Sequence, residues 1–276
     1  MKIELLNIPK EKLLWSLLSI QQKGWIHTER SKNDGAVGNT LEDLLEIPEN
    51  NLAIANTVDW ELKAQRKKTS SMITLFHIDP QPRKPESVVS RVLLPFYGWA
   101  HKEAGLKYPL NEMSFRATLN GNTYTDRGMK LNVESLKRTV DIVYNPEKTS
   151  ERHKEWFERV VSYHGPTEKV IASWSFDDLQ TKCVGKIRNT IYVVADSRTV
   201  NEQEEFNFEK IMLLEDFAFN KFLRGLISGH ILVDFDARTR HNHGTKFRIK
   251  QNNWPVLYSK ITELTDKHEA LTPPTC

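Results

Sequence analysis

The sequence has almost no cysteine, since Cys183 and the terminal Cys276 are its two examples. So few thiols argue against a disulfide scaffold and against a zinc cluster, and they fit a reducing cytoplasm. No apolar run approaches the roughly 18–20 residues that a membrane helix needs, and the charged start does not predict a signal peptide. We therefore expect a cytoplasmic protein with no membrane partner.

No sign of charge dominates the 276 residues, because 39 Lys and Arg stand against 36 Asp and Glu, for a net charge of +3. With 39% hydrophobic and 27% charged residues, the composition is that of a globular chain with a well-buried core. The small basic excess suits a polyanionic partner without requiring one. Helix and strand patterns are mixed along the chain, so we expect an α/β or α+β fold.

Local patterns in the first half of the chain predict a helix and two hairpins. Thr40, followed by acidic residues, is typical of a helix N-cap and predicts a helix that carries Glu42. Residues 57–64 and 72–78 predict two strands that pair as an antiparallel hairpin. The turn sequence Asn120-Gly121 predicts a second hairpin.

The second half of the chain carries further signals of the same kind. Ser175-Phe176-Asp177-Asp178 resembles a capping box that opens a helix. Residues 191–195 predict a short buried strand, and residues 215–227 predict a helix. Two more strands, at 231–235 and 247–249, flank a polar and basic loop.

The strand before Gln65 alternates charged and apolar residues. Side chains two apart on a strand share a face, so Asp59, Glu61 and Lys63 point the same way. Two carboxylates suit Mg²⁺, and a lysine can orient an attacking water and offset developing charge, as phosphodiester hydrolysis requires. Glu42 is a candidate further acid. The alternative is an amphipathic edge strand with a solvated charged face, because a Glu-x-Lys triplet arises by chance on the order of once in such a chain.

The loop between the last two predicted strands is rich in groups that bind nucleic acid. Basic and histidine side chains donate to phosphates and to guanine, and an aspartate such as Asp234 or Asp236 can accept from the amino group of cytosine. A metal ion shared by the two histidines and a plain polar surface loop are the alternatives. The candidate donors are Arg238, Arg240, His241, His243, Lys246 and Arg248.

Taken together, these segments resemble the MvaI/BcnI family of restriction endonucleases, in the PD-(D/E)XK nuclease superfamily and close to its MutH branch. Two of the matching segments are Glu61-Leu62-Lys63 and His241-Asn242-His243-Gly244-Thr245. The matches lie in order from about residue 24 to 250, whereas residues 85–170 match poorly. The other matching segments are 38–45, 51–52, 75–76, 174–179, 224–225, 229–231, 233–234 and 247–249.

The resemblance implies a PD-(D/E)XK core, with a mixed central sheet flanked by helices and two lobes around a DNA cleft. The catalytic lobe is expected at about residues 1–90 and 170–200, and the recognition lobe at about residues 91–169 and 201–260. The implied function is that of a monomeric, Mg²⁺-dependent type II site-specific deoxyribonuclease. It would cleave double-stranded DNA at a short, G·C-rich pseudopalindromic site, one strand at a time. A cognate DNA methyltransferase would be its functional, not physical, partner.

The resemblance also implies roles for single residues. By motif position, Glu42 corresponds to the glutamate on the helix, and Glu61 and Lys63 to the E-x-K pair. The base-contacting positions of the family fall on a set from the second half of the chain. That set is Asp234, His241, His243 and Arg248.

One position departs from the family pattern. The metal-binding aspartate of the family aligns with Asn56, whose amide oxygen can ligate a cation but brings no negative charge. One interpretation takes Asp59 as the missing carboxylate, and another takes the chain as a weak or inactive, sequence-specific DNA-binding protein. A repair-type nicking endonuclease is a third interpretation.

Overall fold

The computed structural model describes residues 10–30, 33, 35–46 and 60–264, and the chain divides into two compact units. Unit 1 consists of Met1–Ser71, Val184–Ala218 and Pro255–Cys276. Unit 2 consists of Met72–Cys183 and Phe219–Trp254. The lobe boundaries expected from the sequence stay a prediction. No helix within the described ranges is long and apolar enough to cross a membrane.

Helices and strands are mixed along the chain, which confirms the α/β class. Residues Val89–Tyr97 form a π-helix. The α-helices are α1 (Lys10–Gln22), α2 (Ala36–Leu44), α3 (Lys154–His164), α4 (Phe176–Ile187) and α5 (Phe219–Ile227). The strands are β1 (Trp25–His27), β2 (Glu61–Arg66), β3 (Ile73–His77), β4 (Trp99–Ala100), β5 (Met113–Leu119), β6 (Arg127–Glu134), β7 (Thr139–Thr149), β8 (Lys169–Ser175), β9 (Thr190–Val200), β10 (Gln203–Phe217), β11 (Ile231–Arg238), β12 (His241–Asn242), β13 (Lys246–Ile249) and β14 (Tyr258–Leu264).

The sheet of unit 1 has the strand order β1-β10-β9-β2, and β14 also pairs with β10. β2 runs parallel to β9, whereas the other pairings are antiparallel, so the sheet is mixed. Trp60 and Leu62 lie in one apolar core with Leu13 and Leu17 of α1 and Leu41 of α2. Burial of each such side chain contributes about 1.5–3 kcal/mol to stability, which keeps one face of β2 turned towards the helices.

Unit 2 contains two sheets. One has the order β3-β13-β11-β5-β4, with β12 paired to β11, and the other has the order β6-β7-β8. Along β11, burial alternates strictly from residue to residue, as expected of a sheet with one face on the core. Phe247 of β13 stacks on Phe76 with ring centroids 5.0 Å apart and meets the edge of Trp174 at 5.3 Å. These rings form the core beneath the polar face.

Several local predictions are confirmed. The Asp178 amide donates a hydrogen bond of 3.1 Å to the Ser175 hydroxyl at the start of α4. The strands predicted at 191–195, 231–235 and 247–249 lie within β9, β11 and β13. In these segments, side-chain chemistry and backbone preference specify the same element.

The prediction of Thr40 as an N-cap is wrong. Helix α2 already begins at Ala36, and Thr40 is buried within it. Its hydroxyl bonds to the Ala36 carbonyl at 2.7 Å and to the Thr28 hydroxyl at 2.5 Å. The threonine is thus satisfied by a partner from a distant segment, while Glu42 remains on the helix.

Both predicted hairpins are wrong, because the two strands of each predicted pair take other partners. β2 pairs with β9 and β3 with β13, while β5 pairs with β11 and β6 with β7. The helix predicted over 215–227 begins later, at Phe219. The first residues of the predicted helix belong instead to β10, where Glu215 pairs with Lys260 of β14.

Candidate active site and nucleic-acid interface

Glu61 is a buried carboxylate with two ammonium neighbours. It opens β2, and its side chain is 4% exposed. Its Oε1 atom lies 2.9 Å from the Lys63 Nζ, and its Oε2 atom lies 3.7 Å from the Lys186 Nζ. Oε2 is buried and accepts no hydrogen bond from the described part of the chain. The alternative of a solvated charged face is therefore wrong for Glu61.

The alternation of β2 explains why Glu61 and Lys63 meet. Trp60 and Leu62 pack into the apolar core, so the residues between them face the other side of the strand. Gln65 continues this polar face, where it accepts a hydrogen bond from the Tyr192 hydroxyl at 3.2 Å. Its amide nitrogen donates to the Ser71 carbonyl at 2.7 Å. The polar side of β2 is thus anchored at its far end.

Lys186 is a member of this cluster that the sequence did not suggest. It lies in the last turn of α4, and its side chain is 18% exposed. A basic residue at the end of a helix usually offsets the helix dipole, so no local signal separates it from that role. Its approach to Glu61 depends on the pairing of segments that are far apart in the sequence.

The remaining candidate acids are less fully described. Glu42 is half-buried on α2, which packs against β2. Asn56 and Asp59 lie outside the described residues. The structure brings Glu61 and Lys63 together, and the identity of the second metal-binding residue stays a prediction.

A divalent cation is the cofactor that this cluster implies, and Glu61 fits it. A buried carboxylate oxygen without a hydrogen bond is costly unless a cation or a donor satisfies it. Within the described ranges, no group of His, Cys, Asp and Glu is large enough to hold a metal by itself. The described residues therefore do not complete a metal site around Glu61, and its role as a ligand stays a prediction.

In unit 2, strands β5, β11 and β13 share a polar face, which we call the recognition face. Asp234 of β11 accepts hydrogen bonds from the Thr118 hydroxyl at 2.7 Å and from the Arg248 guanidinium at 2.9 Å. Asp236 accepts from the Arg116 Nε at 2.6 Å. Both aspartates are thus held in place by donors from neighbouring strands.

The other basic candidates surround this face. Arg238 donates to Glu112 at 3.2 Å and lies 4.9 Å from the ring centre of Tyr108. Lys246 stands opposite Asp234 in the register of β11 and β13. Arg240 is exposed at the turn before β12, with a φ angle of 60°. Acceptors and donors alternate across the face, as readout of base edges requires.

His241 and His243 project from residues 241–245, which we call the histidine loop and which Asp79 holds in place. The rings of His241 and His243 are exposed and lie edge to face, with centroids 4.2 Å apart. Asp79 accepts hydrogen bonds from the Asn242 amide at 2.8 Å and from the Thr245 hydroxyl and backbone at 2.8 and 2.9 Å. Gly244 turns the chain with a φ angle of 79°, a conformation that favours glycine.

Asp79 also accepts a hydrogen bond of 2.6 Å from the Ser87 hydroxyl. It was not among the residues suggested by the sequence, because it lies far from the loop in the chain and has no motif of its own. All of its partners belong to unit 2. Asp79 is therefore a positioning residue for the histidine loop.

The comparisons with known proteins agree with this geometry. The sequence matches the model of the MvaI/BcnI restriction endonuclease family over residues 14–258, while a search of curated proteins gives no match. A solved complex of restriction endonuclease MvaI with its cognate DNA substrate has a TM-score of 0.73 and 22% identity, and the match covers 94% of this chain and 99% of that one. MvaI in the absence of DNA has a TM-score of 0.51 and 22% identity, with 92% and 98% covered.

At this level of identity, the similar structures show the fold, which is of the PD-(D/E)XK type expected from the sequence. The family model extends over most of the chain and includes Glu61, Lys63 and the histidine loop. The chain therefore belongs to the MvaI/BcnI restriction endonuclease family and is a type II site-specific deoxyribonuclease.

Proposed function

We propose that the protein hydrolyses phosphodiester bonds of double-stranded DNA at a short, G·C-rich pseudopalindromic site, with Mg²⁺ as its divalent cofactor. It cuts one strand at a time and leaves 5′-phosphates. The observation that carries the proposal is the buried Glu61 carboxylate beside Lys63, with one oxygen that accepts no hydrogen bond from the described chain. The similarity to MvaI in complex with its cognate DNA supports duplex DNA as the substrate.

In this proposal, Glu61 ligates the cation through its buried carboxylate, and Asp59 or Asn56 provides a second ligand. When bound, Mg²⁺ supplies Lewis acidity to the phosphate and to an attacking water. Lys63 holds Glu61 with one N–H and has further N–H groups with which to orient the water and to offset charge on the phosphate.

Two further side chains complete the proposed centre. Lys186 offsets the charge of the Glu61 carboxylate from the opposite side, at 3.7 Å, and thereby lowers the cost of burying it. Glu42 supports the centre from α2, the helix that packs on β2.

The recognition face is proposed to read bases in the major groove. Asp234 and Asp236 accept from cytosine amino groups, and the basic side chains around them donate to guanine and to phosphates. The hydrogen bonds from Thr118, Arg116 and Arg248 orient the two carboxylates before DNA arrives. The proposed donors are Arg238, Arg240, His241, His243, Lys246 and Arg248.

The cellular setting follows from the same function. We propose a monomer that acts in the cytoplasm, where a cognate methyltransferase protects the host DNA at the same site. That methyltransferase is a functional partner and need not bind the nuclease.

The experiment that tests the function is digestion of a supercoiled plasmid of known sequence with and without Mg²⁺, followed by mapping of the ends. The wild type is expected to give a fixed set of fragments with Mg²⁺ alone. Lys63→Ala should abolish cleavage and leave specific binding largely unchanged. Lys67→Ala is the matched control, because Lys67 lies just after β2 and pairs with Glu209 at 2.8 Å. Cleavage by Lys63→Ala at the wild-type rate would show that the assignment is wrong.

A further inference from the structure

An arginine-lined cleft in unit 2 is not used by the proposed chemistry, and none of the proposed base-contacting residues lines it. It has a volume of about 360 Å³ and lies where β5 and β6 meet the start of α3. Arg116, Arg127 and Arg152 line it, against Asp126 as the one acid among its lining residues. The cleft falls in the part of the chain that matches the family pattern poorly.

Arg127 is the most informative of these side chains. Its guanidinium lies 4.0 Å from the ring centre of Trp99 and 5.7 Å from that of Trp156. Its Nε atom is buried and makes no hydrogen bond within the described chain, and its ion pair with Asp126 is long, at 3.9 Å. A guanidinium carries five N–H donors, and leaving them unsatisfied in a partly buried place costs free energy.

Asp126 does not neutralise the cleft, because other side chains already bond to it. Arg152 donates a hydrogen bond to its carboxylate, and the His153 ring lies 2.7 Å from the same oxygen. Burial alone would raise the pKa of Asp126, but the hydrogen bonds from His153 and Arg152 outweigh burial and lower it. The carboxylate is thus charged and is already bonded to Arg152 and His153 through one oxygen, so a positive excess remains around Arg127.

The cleft adjoins the recognition face. Arg116 and Thr118 line the cleft and also hold the recognition aspartates, through hydrogen bonds to Asp236 at 2.6 Å and to Asp234 at 2.7 Å. A ligand in the cleft therefore lies beside the bases that the face is proposed to read.

We propose that this cleft binds a backbone phosphate of duplex DNA, with Arg127 as the central donor and Arg152 beside it. This inference rests on the proposed function, since it takes DNA as the ligand. A phosphate offers two non-bridging oxygens, which a planar guanidinium can bind with two parallel N–H groups. A stacked base fits less well, because the Arg127 guanidinium lies against the Trp99 ring on which a base would stack.

The test measures DNA binding without divalent metal, so that no cleavage intervenes. A fluorescent duplex of mixed sequence is titrated at several salt concentrations with the wild type, Arg127→Gln and Arg127→Lys. Loss of one phosphate contact should lower the slope of log affinity against log salt by about 0.9 and weaken binding by about tenfold. Arg127→Lys keeps the charge and should keep most of the slope.

Arg138→Gln is the matched control. Arg138 is also in unit 2, lies 5.7 Å from the Phe176 ring centre and pairs with Asp177 at 2.8 Å, but it does not line the cleft. It should bind DNA with the wild-type slope. Urea unfolding checks that Arg127→Gln is folded. If it is not, Arg152→Gln replaces it, because the Arg152 side chain is 67% exposed. A reduced slope is again the expected result.

The outcomes separate this inference from the function beneath it. If the wild type does not bind duplex DNA, the proposed function and the phosphate site both fail. If the wild type binds and every arginine variant keeps the wild-type slope, the phosphate site alone is overturned. If inorganic phosphate raises the Tm of the wild type and not of Arg127→Gln, while the DNA slopes agree, the cleft binds a free anion and the assignment to DNA is wrong.

Discussion

In unit 1 the carboxylate of Glu61 is 4% exposed and faces two lysines, with one oxygen that no hydrogen bond from the described chain reaches. In unit 2 the side chains of Asp234 and Asp236 are 16% and 34% exposed, and each accepts a hydrogen bond from an arginine. Both arrangements combine acids with bases on strands. They differ in how completely the acid is satisfied.

The difference separates two uses of a charge. A buried, incompletely satisfied carboxylate lowers stability, so its retention points to a ligand that satisfies it, and catalysis provides one. A partly exposed and fully paired carboxylate costs little. Such a carboxylate is already oriented towards a base in the proposed complex, and it can exchange its protein donor for a base donor at a small cost in free energy. Substitutions should therefore affect rate in unit 1 and affinity in unit 2.

The largest expected effect is that of Glu61→Gln on cleavage. The substitution keeps the size of the side chain and removes the charge that is proposed to ligate the cation, so the rate should fall by about 10²–10³ or more. Affinity for the cleaved sequence, measured without divalent metal, should stay close to that of the wild type. The measurement is a single-turnover cleavage rate beside a binding titration.

Glu204→Gln is the control for that variant. Glu204 is also a partly buried acid of unit 1, and it accepts two hydrogen bonds from Arg66, at 3.0 and 2.9 Å. Its loss should lower stability and leave the cleavage rate of the folded protein unchanged. Equal rate losses in both variants would remove the contrast between a catalytic and a structural acid.

The next largest effect should come from Asp234→Asn, and it should appear in affinity. Binding to the cleaved sequence is expected to weaken by about 10–100-fold, the usual cost of one base contact, with no change for an unrelated duplex. Asp177→Asn serves as the control, since Asp177 is an 81% exposed partner of Arg138. An equal loss on both duplexes would make Asp234 a general rather than a base-reading contact.

A smaller effect is expected for Asp79→Ala, which releases the histidine loop. The ratio of cleavage rates between the preferred site and a site with one changed base pair should fall by about tenfold. Asp178→Asn is the matched control, because Asp178 accepts hydrogen bonds from Gln81 and Arg83 at 2.6 and 2.7 Å. Unchanged discrimination in Asp79→Ala would mean that the loop holds its path by other contacts.

The smallest effect concerns stability and pH. His164 lies in unit 2, 2.5 Å from the Tyr97 hydroxyl, and burial lowers its pKa below 6.5. The unfolded chain therefore takes up this proton at a higher pH than the folded one. Stability falls as pH drops through 6.5, and the loss is complete below the lower pKa of the folded state.

His164→Gln should flatten that part of the dependence. Urea unfolding of the variant and of the wild type, above and below pH 6.5, measures it. His27→Gln is the control, because His27 pairs with the exposed Glu29 in unit 1. Identical pH dependence in the wild type and in His164→Gln would assign the acid sensitivity to other groups.

Sequence patterns predicted those features of the fold that short segments determine. The Ser175 cap and the strand at residues 231–235 depend on neighbours within a few residues, and both are confirmed. The hairpins failed because strand partners are chosen by burial over the whole chain. The first half of β9 is buried on both faces, and this strand takes β2 and β10 as partners, although the short segment after β2 suggested a local turn to β3.

The residues of the candidate site also differ in whether local sequence could reveal them. Glu61 and Lys63 were within reach of a sequence argument, because they lie two apart on one strand. Lys186 and Asp79 were not, since each meets its partner only after distant segments pair. The helix expected from residue 215 begins only at Phe219 for a similar reason, because pairing with β14 holds Glu215 in a strand.

The way Asp79 holds the histidine loop has a consequence for how specificity can change. Within the described residues, its hydrogen bonds to the loop come from Asn242 and Thr245, and none comes from a histidine ring. The path of the loop is therefore set separately from the groups that it displays. We therefore expect His241 and His243 to accept other side chains without loss of the backbone path beneath them, which makes the loop a starting point for libraries that select new target sequences.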